Sequence, residues 1–511
     1  MSSSHNDAAA HSIHATTWLE VAWLMLSDVI GTSVLVFPGI AQNLGWLLTV
    51  VFIVGLFPIS LYVSILMART RHMFVEMAQE KSLGCPPPQV GTMGEVARCA
   101  FGNRAATTVY VLVYGFNLLG QASYLLVLGT SFQQVFWSTP MCITTAVAIG
   151  CAVLLIPIFS IRRLGESVVL CFCNTVIIGV VIVVALANVA SLGGASCHET
   201  FLVPPGLTAM TVLGQVTNVL YAFTGQWMYF ELMDTMSDPR EFPYAFVATG
   251  PTMVTMYLAV ALISYAIGAS HEDLLASMRY GVSLRVVALL LFVHVGIVYL
   301  IKSVVLARYF HGLCSPGDVE RRSTASFLRH GGWGVAMLVF GYLVSNAVPF
   351  FSNLLGLIGG LLAGPINFII PIVFYLAALM RQTCGTKAGG AHVETGPGGP
   401  EGGSTEYGAC TIEGVEPEEE SFTTETTYAS TAVGPGASTL CAALRTLPWW
   451  ELAMMAATLV LTLLTMALGF SDQVIQVLKK ENTFGAPFSC HALVIPDVKT
   501  PRCPAAAHVS P

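Results

Sequence analysis

Three ionisable side chains stand deep inside long apolar runs of this chain, and each is a candidate for chemistry: Asp28, His294 and Lys302. A charge away from water is expensive unless it is paired or neutralised, so such groups mark functional sites by default. At ~1.5 Å per residue Asp28 lies about 15 Å in from Trp18, near the middle of a ~30 Å hydrocarbon layer. An acid there can load and release a proton, because its neutral form is far cheaper to bury than its anion; the alternative is that it caps backbone amides freed nearby. Lys302 sits about 10 Å before the end of its run near Tyr309, and its stem is expected to snorkel toward the interface, with service as a fixed cation beside the first run as the alternative. His294 is expected to pack as a satisfied histidine, with a proton relay as the alternative. These three form the coupling set.

Two apolar runs are broken in ways that expose backbone chemistry. The first reaches Ile30-Gly31-Thr32-Ser33 and then meets Pro38-Gly39; the sixth is interrupted by Tyr221-Ala222-Phe223-Thr224-Gly225-Gln226. Glycine frees the backbone and proline removes a donor, so neither run reads as a continuous helix. Either break alone is explained as well by close helix packing. Breaks at equivalent positions of two halves point instead to an inverted-repeat carrier with its site between them. Peptide N–H groups from Gly31 through Thr32 to Ser33 would then meet an anionic carboxylate, and carbonyls around Ala222, Phe223 and Thr224 an ammonium. Gly225 keeps the second break open, and Phe223 and Asn117 border the ligand's side chain. Asn117 and Gln121 are one turn apart, so both reach the cavity or else bond a neighbouring helix. Glu231, Asp234 and Arg240 are read as a cytosolic gate.

No zinc spacing, nucleotide-binding loop or nucleophile motif occurs in the sequence, so the chain is read as a non-enzyme with no cofactor and no metal site. His5, His11 and His14 read as solvated tail. Without a nucleotide-binding domain, uphill transport must draw on an ion gradient, of protons or Na+.

The elements that must position these groups are membrane helices. The chain has 511 residues, 55% hydrophobic and 10% charged, too little charge to cover a water-soluble surface. Runs long enough to span a bilayer are expected at 18–44, 45–68, 106–132, 141–159, 167–190, 208–231, 245–267, 284–308, 333–351, 354–379 and 449–470. No Lys or Arg precedes Arg69, so the first run reads as a retained helix rather than a cleaved signal. Basic residues crowd alternate loops (Arg69, Arg71, Lys81, Arg98 and Arg104; Arg162 and Arg163; Arg240; Arg308, Arg321, Arg322 and Arg329), whereas the opposite short loops hold Arg279 and Arg285. The positive-inside rule therefore puts the N-terminal tail, 1–17, in the cytosol. An odd span count sends the C-terminal tail, 471–511, to the other side, although Lys479, Lys480, Lys499 and Arg502 in that tail speak mildly against it. Residues 380–448 are rich in Gly, Ser, Thr, Pro and Glu and read as a disordered cytosolic loop, either a linker or a docking segment for cytosolic regulators. Of 13 cysteines, Cys142, Cys151, Cys171 and Cys173 fall inside expected spans. Cys197, Cys490 and Cys503 share the oxidising side, so Cys197 is expected to pair with one of the other two.

Several strings resemble a known family. Ile30-Gly31-Thr32-Ser33-Val34-Leu35-Val36-Phe37-Pro38 with Asn43-Leu44-Gly45-Trp46 resembles the first-helix signature of the amino acid/auxin permeases. Glu231-Leu232-Met233-Asp234-Thr235, with Asp238-Pro239 and Phe242-Pro243, is similar to the segment after helix six in plant members. Gly94-Glu95-Val96-Ala97, Ala100-Phe101-Gly102, Gly356-Leu357-Ile358-Gly359-Gly360 and Pro371 resemble further landmarks, in order, across about residues 18 to 470. His294 matches a family position by the same resemblance. The resemblance implies an all-α LeuT-type core, with repeats at 18–190 and 208–379 plus an eleventh helix at 449–470, and proton- or sodium-coupled transport of a small amino acid. The long loop before the last helix departs from the family pattern. A sensor using the same site to signal without flux is the second reading; a channel is disfavoured because no ring of acids recurs across the spans. The expected partners are an amino acid and the lipid bilayer, with no nucleic acid, in a plasma membrane or a vacuolar or lysosomal membrane.

Overall fold

The computed structural model describes residues 16–81, 90–160, 168–191, 199–268, 273–315, 323–389, 437–484 and 487–490. Among them every element is helical, and a β-bridge joins Thr16 to Met236. Helix α1 (Trp18–Val29) starts on a reciprocal cap: the Thr17 hydroxyl accepts from the Glu20 amide, and the Glu20 carboxylate accepts from the Thr17 amide at 2.8 Å. It ends at Ile30; a 3-10 turn, Thr32–Val36, then leads into α2 (Phe37–Lys81). Gly45 interrupts α2 with a φ of 73°, a left-handed conformation open to glycine at no steric cost. A Cβ at Gly45 would lie 2.7 Å from the Phe201 carbonyl oxygen and 2.9 Å from that of Leu202. These carbonyls accept from the Trp46 and Leu47 amides at 3.2 and 3.0 Å, so backbone hydrogen bonds hold the kink.

Helix α3 (Met93–Phe101) begins on a second reciprocal cap, Thr92 with Glu95, and turns at Gly102 into α4 (Asn103–Val135). Helices α5 (Ile143–Ser160) and α6 (Val168–Ala190) come next. The sixth expected span is divided into α7 (Ala209–Ala222), a 3-10 turn Gln226–Met228, and α8 (Tyr229–Thr235). Then come α9 (Phe242–Ala266), α10 (Val282–Cys314), α11 (Thr324–Ala347) and α12 (Phe351–Ile358). Two π-helical stretches, Gly359–Ala363 and Pro365–Ile369, join α12 to α13 (Ile370–Gly389). Helix α14 (Ala437–Leu444) precedes α15 (Trp449–Leu464), which passes through a π-helical Thr465–Gly469 into α16 (Phe470–Phe484). The wide turns bring glycines against α7: a Cβ on Gly359 or Gly469 would overlap the Thr217 or the Leu213 carbonyl.

Eight helices among the described residues are long and apolar enough to cross a membrane, and Ile143–Phe159 is a shorter apolar one. The part of the first expected span beyond its break merges with the second in one of the eight, Thr32–Gln79, and neither half of the sixth is long enough alone. Large apolar side chains such as Val111, Ile156, Val183 and Val282 face outward, while polar ones such as Asn174, Asn218, Gln121 and His294 are buried inside. That inversion suits hydrocarbon as the surrounding solvent.

The first and last described residues, Thr16 and Cys490, lie at opposite ends of α4. Near its start, the Thr92 hydroxyl bonds Tyr110 and Gly91 packs on Asp234. There the Thr16 amide donates to the Thr235 carbonyl at 2.9 Å and the Thr16 carbonyl accepts from the Ser237 amide at 3.0 Å. Just beyond its far end, where Gln133 donates to the Met141 carbonyl, Cys142 is disulfide-bonded to Cys490. This corrects the cysteine expectation: α5 begins only at Ile143, so Cys142 sits in the connection after Pro140 rather than in a span, and Cys490 is taken by it rather than by Cys197. Cys197, Cys503, the N-terminal histidines and most of the acidic loop lie outside the described residues. The last span is held by polar contacts along its length. Arg69 on α2 meets the buried Glu451 at 3.0 Å, and Gln473 donates to the Gly214 carbonyl while accepting from Asn353.

Candidate functional site

The two breaks meet. Val29 and Ala222 are the last helical residues of α1 and α7, and both carbonyls lie within hydrogen-bond reach of one hydroxyl, that of Tyr257 on α9, at 3.1 and 2.8 Å. A Cβ on Gly225 would come 3.2 Å from the Val29 side chain, so the second break presses against the first. Beside them lies a cavity walled by Asp28, Gly31, Thr32 and Ser33 from the first break, and by Tyr221 and Thr224 from the second. Phe116 and Tyr124 of α4 and Lys302 of α10 close it.

The backbone supplies both signs of partial charge. The 3-10 turn opens at Thr32, and the first amides of such a turn have no partner within it. Thr32 Oγ1 is buried, with no hydrogen-bond partner among the described residues. The Ser33 hydroxyl reaches back to the Val29 carbonyl at 3.4 Å. On the second break the Thr224 hydroxyl donates to the Tyr221 carbonyl at 2.6 Å, and the Gly225 amide is turned to Gln226 Oε1 at 2.9 Å. The Trp227 amide donates to Asn367 Oδ1 at 3.2 Å, which fixes the start of the lower half-helix.

Charge enters the cavity wall as a pair. Lys302 Nζ stands 2.9 Å from Asp28 Oδ1, with each side chain only 10% exposed. The ammonium also donates to the Tyr124 hydroxyl at 2.8 Å and lies 5.2 and 5.4 Å from the centres of the Tyr124 and Trp227 rings. Opposite charge, a hydroxyl and two π faces all compensate its burial. The snorkelling expectation is thereby corrected: the side chain turns inward, to Asp28 and Tyr124.

The remaining expected residues divide. Gly31, Thr32, Ser33 and Thr224 line the cavity, whereas Ala222, Phe223 and Gly225 form the back of the break, where the Phe223 ring meets Tyr257 edge-on at 5.5 Å. Asn117 donates to the Val113 carbonyl of its own helix, and its neighbour Phe116 faces the cavity in its place. His294 is not brought to the cavity: its Nδ1 lies 3.1 Å from the Asn174 carbonyl, while Asn174 donates to Ser27. The gate is rearranged as well. Asp234 pairs with Arg71 of α2 at 3.1 Å rather than with Arg240, whose amide donates to Asp238 within a local turn; Glu231 is half-buried on α8. Sequence reasoning missed Phe116, Tyr124, Tyr221 as a wall residue, and Tyr257. Tyr124 follows the helical spacing of Asn117 and Gln121, which was the available signal; Phe116, about 100° around the helix from Asn117, and Tyr257 offered none.

Residues 14–388 match the family described as transmembrane amino acid transporter protein. The chain is 25% identical over 171 residues to an N amino acid transport system protein of Neurospora crassa, covering 31% of this chain and 35% of that one. It is 28% identical over 177 residues to a vesicular inhibitory amino acid transporter of Xenopus laevis, covering 32% and 33% of the two chains. A longer match, 21% identical over 372 residues, reaches the amino acid transporter AVT1D of Arabidopsis thaliana and covers 70% and 63%. The chain thus spans about a third of the length of the first two relatives.

Proposed function

The chain belongs to the family of transmembrane amino acid transporter proteins, and on that premise we propose that it is a proton-driven secondary carrier holding a zwitterionic amino acid between its two broken helices. The observation that carries this reading is the Asp28–Lys302 pair set into the cavity wall beside Gly31 and Thr224. The substrate carboxylate docks on the amides that open at Thr32, and the ammonium on carbonyls at the ends of α1 and α7. Protonation of Asp28 cancels its attraction for Lys302, whose ammonium stays lodged on Tyr124 and Trp227; deprotonation restores the pair. Proton occupancy is thereby tied to the first break, and so to which side of the membrane the cavity opens. Because a fixed ammonium already stands against the acid at the break, the carrier runs without Na+.

In this reading eleven spans form two five-helix repeats plus one, with the N-terminus in the cytosol, and the 380–448 loop receives cytosolic regulators. The acidic loop also keeps open a sensor that binds at the same cavity without flux. Radiolabelled amino acid uptake into proteoliposomes separates the two: accumulation inside the vesicles supports the carrier, and binding without accumulation supports the sensor.

A further inference from the structure

The Tyr257 hydroxyl has one proton and two acceptors. It lies 3.1 Å from the Val29 carbonyl and 2.8 Å from that of Ala222, the terminal acceptors of α1 and α7. A phenol donates once, so at any instant one of the two carbonyls lacks this donor. The ring is fully buried, stacked on Phe37 at 4.6 Å and met edge-on by Phe223, so the hydroxyl is held in place by packing rather than by its own bonds. In hydrocarbon an unsatisfied carbonyl is expensive, and a broken helix survives there only if something meets its freed groups. On the carrier reading, a substrate ammonium brings three N–H donors to this end of the cavity, where Val29 is a lining residue. When the cavity is empty, the donors built into the fold are the Ser33 hydroxyl, 3.4 Å from the Val29 carbonyl, and the Tyr257 hydroxyl, which alone reaches both helix ends.

We propose that Tyr257 is a positioning residue whose hydroxyl stands in for the substrate ammonium in the empty carrier, holding the two half-helix ends together so that the empty cavity can reorient. This rests on the carrier reading above and adds to it a requirement for the return step alone. Exchange of one substrate for another needs only the loaded carrier; net uptake needs the empty carrier to return.

Tyr257→Phe removes the hydroxyl and keeps both ring contacts. In proteoliposomes loaded with unlabelled amino acid, exchange should persist, and its KM should fall by about fivefold, because the carbonyls of the empty state have lost their competing donor. Net uptake into unloaded vesicles should drop about tenfold at every pH, with the shape of the pH profile unchanged, since the acid of the site is untouched. Tyr257→Leu, which also removes the ring, should lose exchange and net uptake alike. A parallel fall in both modes for Tyr257→Phe, or no change in either, overturns the proposal; absence of exchange in the wild type overturns the carrier reading and this one with it. Should Tyr257→Phe not be recovered folded, replacement of Tyr257 by para-aminophenylalanine gives the same shape with two N–H donors. That variant should keep net uptake with a raised KM, and a lowered KM or selective loss of net uptake there overturns the proposal.

Discussion

The Asp28–Lys302 pair is asymmetric, and its two halves should fail differently. Lys302→Met leaves a carboxylate buried with its cation gone, which costs about 3–5 kcal/mol by the usual penalty for an orphaned buried charge. Asp28→Asn leaves the ammonium with the Tyr124 hydroxyl and two ring faces, so it should cost markedly less. The double variant should cost less than the sum of the two. Thermal unfolding of the four proteins in detergent measures this, and equal losses for the two single variants would contradict the asymmetry. The depth of both residues was legible in the sequence because an apolar run has a known rise per residue. Their pairing was not: the partners lie on different helices far apart in sequence, and a lysine able to snorkel is, from sequence alone, equally able to turn inward. Thr32, Ser33 and Thr224 were legible as parts of breaks, whereas Tyr257 was hidden, since one tyrosine in an apolar helix looks like any other.

At the scale of elements, the kink at Gly45 stands where the first two expected spans meet, and it tolerates no side chain. Gly45→Ala places a Cβ at positive φ against two carbonyl oxygens, at 2.7 and 2.9 Å, and should destabilise the protein by at least about 1 kcal/mol. Gly55→Ala lies further along α2, where nothing stands within 4 Å of the added Cβ. It should be neutral or stabilising by up to about 1 kcal/mol, because alanine favours a helix interior. Melting temperatures of the two variants test the contrast; equal shifts would mean that Gly45 is not under constraint. The two broken helices were legible because glycine and polar side chains interrupt otherwise apolar runs. The π-helical stretches on either side of Gly364 and through Thr465–Gly469 were not, because a widened turn depends on what packs beside it, here the Thr217 and Leu213 carbonyls of α7.

For the whole molecule, composition and run length made the all-helical membrane class plain, and the order of family landmarks made the architecture an expectation. The covalent frame was misread because a boundary placed at residue 141 hid Cys142 inside a span, when the helix starts at Ile143. Since Cys142 and Cys490 are bonded across 348 residues of sequence, proteolysis without reduction should release a linked peptide pair. Separate Cys142 and Cys490 peptides, both alkylated before reduction, would contradict the bond. On the eleven-span reading, tags at the two chain ends should be reached from opposite sides of the membrane; access to both from the cytosol in intact cells would contradict it. The central claim is that a proton gradient acting at Asp28 drives amino acid accumulation. The most direct test is labelled amino acid uptake into Na+-free proteoliposomes under an imposed pH gradient, for the wild type and Asp28→Asn side by side. The wild type should accumulate substrate while the gradient lasts, and Asp28→Asn should exchange substrate but not concentrate it. Accumulation by Asp28→Asn with normal pH dependence, or a wild type that concentrates substrate only when Na+ is added, would contradict the account.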